Sequence, residues 1–87
     1  MFFNNPFRPE PKFQPGQLVF LPDDAVRYKE NRYLLIEGRR WVKPQDMPSK
    51  RWVYDGIIFQ IEGSELVFFT TTTCDLEESL RPIPGLR

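Results

Sequence analysis

The stretch Arg51–Ile61, which reads RWVYDGIIFQI, carries the strongest strand signal in the sequence. The side chains of a strand alternate between two faces, so the stretch divides into two sets. One set is Val53, Ile57, Phe59 and Ile61, and the other is Trp52, Tyr54, Ile58 and Gln60. Gly56 interrupts the run, and a glycine inside a long strand often marks a bulge or a bend. We therefore expect a bent strand at the centre of a β-sheet.

The residues after this stretch predict a returning strand and a closing segment. Glu62-Gly63-Ser64 is typical of a turn, and Glu65–Thr72 is rich in residues that favour strands. Asp75–Glu78 has the spacing of a capping box, an acidic residue with a Glu three positions later, which predicts one helical turn. Leu80–Ile83 is then predicted to be the last short strand.

The residues before the stretch predict a hairpin and a loop. Tyr33–Ile36 and Arg39–Val42 both favour strands, and Glu37-Gly38 between them can form a tight turn because glycine tolerates a positive φ. We expect these two runs to pair with each other. Two prolines prevent sheet pairing within Lys43–Lys50, so that segment is predicted to be a loop.

The first strand is predicted at Gln17–Leu21, between the turn signals Pro15-Gly16 and Pro22. Ala25–Arg32 is compatible with a helical turn capped by Asp24, or with a polar lead-in to the next strand. We interpret this segment as a loop in which a helical turn can form.

Residues 1–14 form an N-terminal arm that is rich in proline and phenylalanine. Proline favours extended conformations and weakens sheet pairing, which predicts a mobile segment. Disordered tails are usually poor in aromatic residues, however, so part of the arm is expected to make contacts. We expect Phe13 to pack on the domain, and Phe2 and Phe3 to bind a partner or to remain mobile.

Five short strands, a bent central strand and a helical turn before the last strand resemble an SH3-like small β-barrel. The residues that carry the resemblance are Pro15–Val19, Trp52–Ile58 and Asp75–Ile83. The resemblance implies an all-β fold with a single barrel over residues 15–84 and a short tail at residues 85–87. The same order of elements is compatible with an open five-stranded roll.

Charge is balanced over the whole chain but divided along it. The 87 residues contain 12 Lys and Arg and 12 Asp and Glu, so no net field draws the chain to nucleic acid or to an anionic membrane. Residues 27–51 contain eight basic and three acidic residues, whereas residues 52–80 contain six acidic residues and no basic one. The fold therefore either brings the two halves together or leaves a basic surface open.

The side chains on which most catalysis depends are missing from the sequence. There is no histidine, and the only cysteine, Cys74, is followed by acidic residues, an environment that does not activate a thiol. We therefore expect no enzyme, no metal site and no cofactor. No apolar run is long enough for a signal sequence or a membrane helix, which predicts a cytoplasmic protein without membrane insertion.

Binding is left as the function, and the candidate surface is a basic and aromatic segment over residues 39–52. Its candidate residues are Arg39, Arg40, Trp41, Lys43, Lys50, Arg51 and Trp52. The first hypothesis is a protein-interaction domain or accessory subunit whose partner has an acidic surface, with a possible aromatic groove of Tyr28, Tyr33 and Tyr54. The alternative is nucleic-acid binding, in which the cations neutralise phosphates and the tryptophans stack on bases.

The position of the acidic residues distinguishes the two hypotheses. The residues concerned are Asp55, Asp75, Glu77 and Glu78. If they lie beside the basic segment, the charges cancel locally and a protein partner is favoured. If they lie on the opposite face, the basic segment is an open platform for nucleic acid.

Overall fold

The computed structural model describes residues 8–84, which form one antiparallel five-stranded sheet. In chain order the strands are β1 (Leu18–Phe20), β2 (Arg32–Val42), β3 (Arg51–Glu62), β4 (Glu65–Leu76) and β5 (Arg81–Pro82). A helix α1 (Pro22–Tyr28) follows β1, and a 3-10 helix (Glu77–Ser79) precedes β5. The strand order β4-β3-β2-β1-β5 leaves β4 and β5 at the edges, so the sheet is open. The prediction of an all-β fold with a helical turn before the last strand is confirmed.

The core lies on one face of this sheet. The alternation predicted for β3 is seen over most of the strand: Trp52, Tyr54 and Ile58 belong to the core, whereas Ile57, Phe59 and Ile61 are partly exposed. Val53 is the exception, because it is fully buried although it belongs to the other set. Each buried aromatic side chain removes a large apolar area from water, which matters in a domain this small. The buried residues of the core are Phe13, Val19, Leu21, Leu34, Ile36, Trp52, Tyr54, Ile58 and Leu80.

The predicted hairpin of Tyr33–Ile36 with Arg39–Val42 is wrong, because both runs belong to the single strand β2. This strand pairs with β3 on both sides of Glu37-Gly38. The chain reverses only in Lys43–Lys50, the loop that the prolines predicted. β2 and β3 therefore form one long hairpin with this loop at its end.

A β-bulge at Glu37 accounts for the glycine at position 38. The register changes between Ile36 and Gly38, so Glu37 has no partner of its own on β3. At Gly38 an added Cβ would lie 2.8 Å from a carboxylate oxygen of Asp55. The glycine therefore makes room for the opposite strand at a bend, and it does not form a turn.

β4 is longer than predicted, since it continues past Thr72 to Leu76. The helical turn is displaced to Glu77–Ser79, and no side chain caps its N-terminus. Asp75 lies in β4 opposite Tyr54, so the predicted capping box is wrong. Pairing with β3 outweighs the local capping preference here. The last strand is shorter than predicted because its proline has no N–H with which to continue the ladder.

The segment after β1 forms a helix, which is the first of the two alternatives for this region. Pro22 lies in its first turn, where the missing N–H of proline is not needed. Asp24 makes no capping hydrogen bond, and its carboxylate pairs with Arg32 at 3.4 Å. The Arg32 guanidinium also lies over the rings of Tyr28 and Phe69, at 4.8 and 3.9 Å from their centroids. This one cation therefore joins α1 to β2 and β4.

Residues 8–14 contact the domain without forming a helix or a strand. Phe13 is buried, as predicted, and its ring meets the ring of Tyr54 edge-on at a centroid distance of 5.7 Å. The core therefore begins before residue 15, the predicted start of the domain. The mobility of the arm stays a prediction, and the expectations for Phe2, Phe3 and the tail at 85–87 lie outside the described residues.

Gly56 is the position in the sheet where no side chain can be accommodated. An added Cβ would overlap with the carbonyl oxygen of Leu35, a backbone atom of β2 that cannot move without breaking the strand pair. We predict that Gly56→Ala lowers the free energy of unfolding by about 3 kcal/mol, measured by urea denaturation. Gly38→Ala is the matched control and should cost about 1 kcal/mol, because the Asp55 side chain can rotate away. Equal losses for the two variants would contradict this account of the sheet.

Candidate functional site

A cleft of about 260 Å³ lies where the 3-10 helix meets the loop end of the β2–β3 hairpin. Four of the predicted binding residues line the cleft, of which two are basic and two are aromatic. Two acidic residues and one residue of the N-terminal arm complete the lining. The cleft is lined by Pro9, Trp41, Lys50, Arg51, Trp52, Glu77 and Glu78.

The two tryptophans of the predicted segment are neighbours across the hairpin. Trp41 and Trp52 are partners in register, and their ring centroids are 5.5 Å apart. Trp52 is only 5% exposed; its Nε1 donates a hydrogen bond of 2.7 Å to the Pro9 carbonyl, and the Arg8 guanidinium lies over its ring at 4.9 Å. The N-terminal arm therefore already occupies Trp52, and Trp41 is the aromatic side chain that remains partly exposed in the cleft.

The three predicted arginines are engaged within the domain. Arg39 donates a hydrogen bond of 2.7 Å to the Phe13 carbonyl, and Arg40 donates one to the Thr73 carbonyl on β4. Arg51 forms an ion pair with Glu78 at 3.4 Å. These contacts hold the arm, the edge strand and the 3-10 helix against the hairpin, so the arginines have structural roles.

The two predicted lysines face solvent at this end of the hairpin, and Arg40 is exposed as well. Lys43 and Lys50 are both exposed, and neither forms an ion pair with another residue between 8 and 84. Lys50 also lines the cleft beside Trp41. An acidic group of a ligand in the cleft would therefore meet Lys50 rather than Arg51, which is paired with Glu78.

The acidic residues of the second half of the chain lie beside the basic segment. Asp55 is opposite Gly38 in the β2–β3 pair. Gly38 directly precedes Arg39 and Arg40 in the sequence. Asp75 is opposite Tyr54 on the neighbouring strand, and the carboxylates of the 3-10 helix line the cleft itself. The fold thus places the acidic residues near the basic segment, and the ion pair of Arg51 with Glu78 joins the two.

A buried hydroxyl connects the cleft to the core. Tyr54 is fully buried, and its hydroxyl donates a hydrogen bond of 2.6 Å to Oε2 of Glu77 and accepts one of 3.3 Å from the Phe13 amide. The same Glu77 oxygen accepts a hydrogen bond of 2.9 Å from the Lys12 amide. Burial, followed by the hydrogen bond to the Glu77 carboxylate, raises the pKa of Tyr54 from 10.0 to about 12.

The structure does not bring the predicted aromatic groove together. Tyr54 is a core residue, whereas Tyr28 is half-exposed on α1 and stacks on Arg32. Tyr33 lies on the opposite face of the sheet from Tyr54, next to Phe20. The three tyrosines therefore lie in different environments and do not share a surface.

Sequence reasoning did not predict the place of Pro9, Glu77 and Glu78 in the cleft. The two glutamates were predicted to lie in a helical turn, with their position relative to the basic segment left open, and Pro9 was predicted to lie in the N-terminal arm. Their proximity to Trp52 comes from contacts between distant parts of the chain, for which the sequence carries no local signal. The clue within the sequence was charge, because acidic residues without basic neighbours need a basic surface elsewhere in the fold.

Two polar groups near the cleft are buried without hydrogen-bond partners in the described part of the chain. They are Nε of Arg51 and Oδ2 of Asp75. Burial and the negative charge of Asp24 raise the pKa of the Asp75 carboxyl above its usual value, against a hydrogen bond from Thr72 that lowers it. Folding therefore disfavours the ionised form of Asp75 relative to the unfolded chain.

Within residues 8–84, no group of three or more Cys, Asp or Glu side chains is placed to hold a metal ion. The helices of the same residues are all too short or too polar to cross a membrane. No protein family is matched by the sequence, and neither a curated protein nor a solved structure matches it. The SH3-like resemblance therefore stays a prediction, and the function has to be argued from the geometry of the site.

The Tyr54 hydroxyl is expected to contribute measurably to stability. Tyr54→Phe removes the partner of the buried Phe13 amide and one of the hydrogen bonds to Glu77. We predict a loss of about 2 kcal/mol in the free energy of unfolding, measured by urea denaturation. Tyr28→Phe, at a half-exposed position, is the control and should have almost no effect.

The same hydroxyl gives the stability a dependence on alkaline pH. The folded protein binds the Tyr54 proton more tightly than the unfolded chain, since burial raises the pKa from 10.0 to about 12. This contribution is fully present below pH 10 and is lost as the pH rises toward 12. We predict that the difference in stability between the natural chain and Tyr54→Phe narrows over this range. A constant difference would show that the hydroxyl is not buried.

Removal of the Asp75 charge is expected to stabilise the fold. We predict that Asp75→Asn raises the free energy of unfolding at neutral pH, because the amide carries no desolvated charge. The natural chain binds the Asp75 proton more tightly when folded, so it gains stability as the pH falls through the raised pKa, and the variant lacks this gain. Asp46→Asn, in the exposed loop, is the control for the general effect of losing one negative charge.

Proposed function

We propose that this chain is a non-catalytic protein-binding module that holds a segment of a partner against Trp41, with acidic groups of the partner directed toward Lys43 and Lys50. One observation carries the proposal: the fold places carboxylates beside the basic segment and so leaves a cleft of mixed charge around an aromatic pair. Protein surfaces present both charge signs and apolar side chains, which is the chemistry that such a cleft complements.

The distribution of cations favours a protein over nucleic acid. A phosphate backbone is recognised by several cations that are free to neutralise successive charges. Here Arg51 is paired with a carboxylate and the partly buried Arg39 with a backbone carbonyl, so the exposed cations of the segment are Lys43, Lys50 and Arg40. Glu77 and Glu78 in the cleft would also repel phosphates. The cleft therefore fits an acidic protein segment better than an oligonucleotide.

The N-terminal arm illustrates how a chain segment contacts this surface. Residues 8–12 lie beside the cleft without regular secondary structure, with one carbonyl accepting from the Trp52 indole and one amide donating to Glu77. Both are contacts to the backbone of the segment, so they do not depend on its side chains. A partner segment placed next to the arm would meet Trp41 and Lys50. The SH3-like resemblance implies the same mode, an extended segment on an aromatic surface.

The absence of an enzymatic role is part of the proposal. The sequence has no histidine, and Cys74 is exposed next to Asp75, without a basic residue beside it in the sequence. A small domain with these properties suits an accessory subunit of a larger assembly. A free, exposed thiol also suits a reducing compartment such as the cytoplasm.

The proposal is tested by exchanging the charge of the exposed lysines. We predict that Lys43→Glu with Lys50→Glu lowers retention of a partner from a cell extract by about tenfold, measured by quantitative mass spectrometry on the immobilised protein. Arg27→Glu with Lys29→Glu is the matched control, because it makes the same change of net charge at exposed positions on and after α1. Arg39 is avoided because its substitution would release the arm.

The candidate partner is a protein from the extract that binds to the natural chain and to the control variant but not to the lysine variant. A titration of the labelled domain with that purified protein should then shift the Trp41 indole signal. Titration with single- and double-stranded oligonucleotides at low salt distinguishes nucleic-acid binding from protein binding. Indole shifts with oligonucleotide that disappear at high salt, together with no selectively retained protein, would overturn the proposal in favour of nucleic acid.

A further inference from the structure

A row of aromatic side chains crosses the face of the sheet opposite the core. Phe20, Tyr33, Phe59 and Phe68, one from each of β1 to β4, are successive partners in register. The rings of Phe20 and Tyr33 are 5.5 Å apart. Each of the four side chains is at least partly exposed, so residues 8–84 leave the row accessible to solvent. We refer to these four residues as the aromatic row.

The aromatic row is flanked by aliphatic residues on the same face. On one side Leu18, Leu35 and Ile57 are successive partners on β1, β2 and β3, and on the other side Ile61 pairs with Leu66. All five are partly or largely exposed, and none of these positions carries a charge. An uncharged apolar face that spans four strands is more than scattered surface hydrophobicity, and such faces mark interaction sites.

The two edges of this face have complementary shapes. At the β4 edge Phe68 projects into solvent and is 62% exposed. At the other edge a cleft of about 230 Å³ continues the face toward β5. The cleft is lined by Phe20, Asn31, Tyr33, Pro82, Ile83 and Pro84. One molecule therefore carries both a protruding aromatic ring and an apolar cleft lined by rings.

We propose that two copies of this chain pack these faces together about a two-fold axis parallel to the strands, with Phe68 of each copy in the cleft of the other. Such an axis places β4 of one copy over β1 and β5 of its partner, which brings each protruding ring to the opposite cleft. The contact between Phe68 and the cleft then occurs twice, once in each direction. Both copies use the same surface, so the assembly ends at two copies. Face-to-face sheets about 10 Å apart bury side chains of the kind found here.

The size of the face predicts how strong this dimer is. The face is about three strand spacings wide and five residues long, roughly 15 Å by 15 Å. In projection this is about 225 Å², roughly a quarter of the about 800 Å² that a standard interface buries on each partner, so the dimer belongs with weak, transient contacts. We expect a dissociation constant of about 1 mM, with much of the affinity carried by the two Phe68 rings at the clefts.

The experiment is sedimentation equilibrium over protein concentrations from micromolar to millimolar, with two variants. Phe68→Glu places a charge in the cleft of the partner, and Val26→Glu makes the same kind of change at an 82% exposed position on α1, away from the face. We expect the natural chain and Val26→Glu to dimerise equally. Phe68→Glu should raise the dissociation constant by about thirtyfold or more, as the loss of an interface hot spot does.

A second measurement on the unaltered chain keeps the test independent of how the variant folds. On dilution, amide shifts should change in the aromatic row and around Ile83, and not at Lys43 or Lys50. A monomer at every concentration would overturn the proposal, as would equal dimerisation of the two variants. Open-ended association, or shift changes confined to other surfaces, would overturn it as well. The binding proposed for the Trp41 cleft is independent of either result, because the cleft lies at the loop end of the hairpin and not on this face.

Discussion

The Tyr54 hydroxyl joins three segments that are far apart in the chain. It lies on the central strand, accepts from the Phe13 amide of the N-terminal arm and donates to Glu77 of the 3-10 helix, whose carboxylate also accepts from the Lys12 amide. A hydroxyl buried in this way must keep its partners, because an unpaired polar group in a core costs more than a single hydrogen bond gains. The arm and the 3-10 helix are thereby held at fixed positions, and the cleft between Trp52 and Glu77 has a defined shape.

Changes of register bend the strands of the sheet. The bulge at Glu37 bends β2, and two further changes of register bend β4 against a regular β3. The core lies on one face of the sheet and includes Phe13 and Leu80 from near the two ends of the described chain. The opposite face keeps a full set of apolar side chains without a covering element within residues 8–84. A domain of this size cannot bury both faces of its sheet completely, so side chains of the second face stay partly exposed.

The parts of this fold that the sequence predicts are those that depend on local signals. The alternation of β3 and the loop Lys43–Lys50 could be predicted because side-chain period and proline chemistry are local properties. The hairpin around Gly38 was wrong because a glycine has the same local signal in a turn and at a bulge. Of the candidate site, the tryptophans and lysines could be predicted by composition, whereas the role of Arg39 and the contact of Trp52 with the arm arise from long-range packing. These contacts become visible only when the strand order is known.

The network around Tyr54 also has a consequence for biosynthesis. The amide of Lys12 and the carboxylate of Glu77 are separated by 65 positions in the chain. At roughly 5–20 residues per second, a ribosome makes Glu77 about 3–13 s after Lys12. Arg39, Trp52 and Tyr54 are made earlier, so the arm can contact the β2–β3 hairpin before Glu77 exists. The contact with the 3-10 helix is therefore the last one that can complete the network around Tyr54.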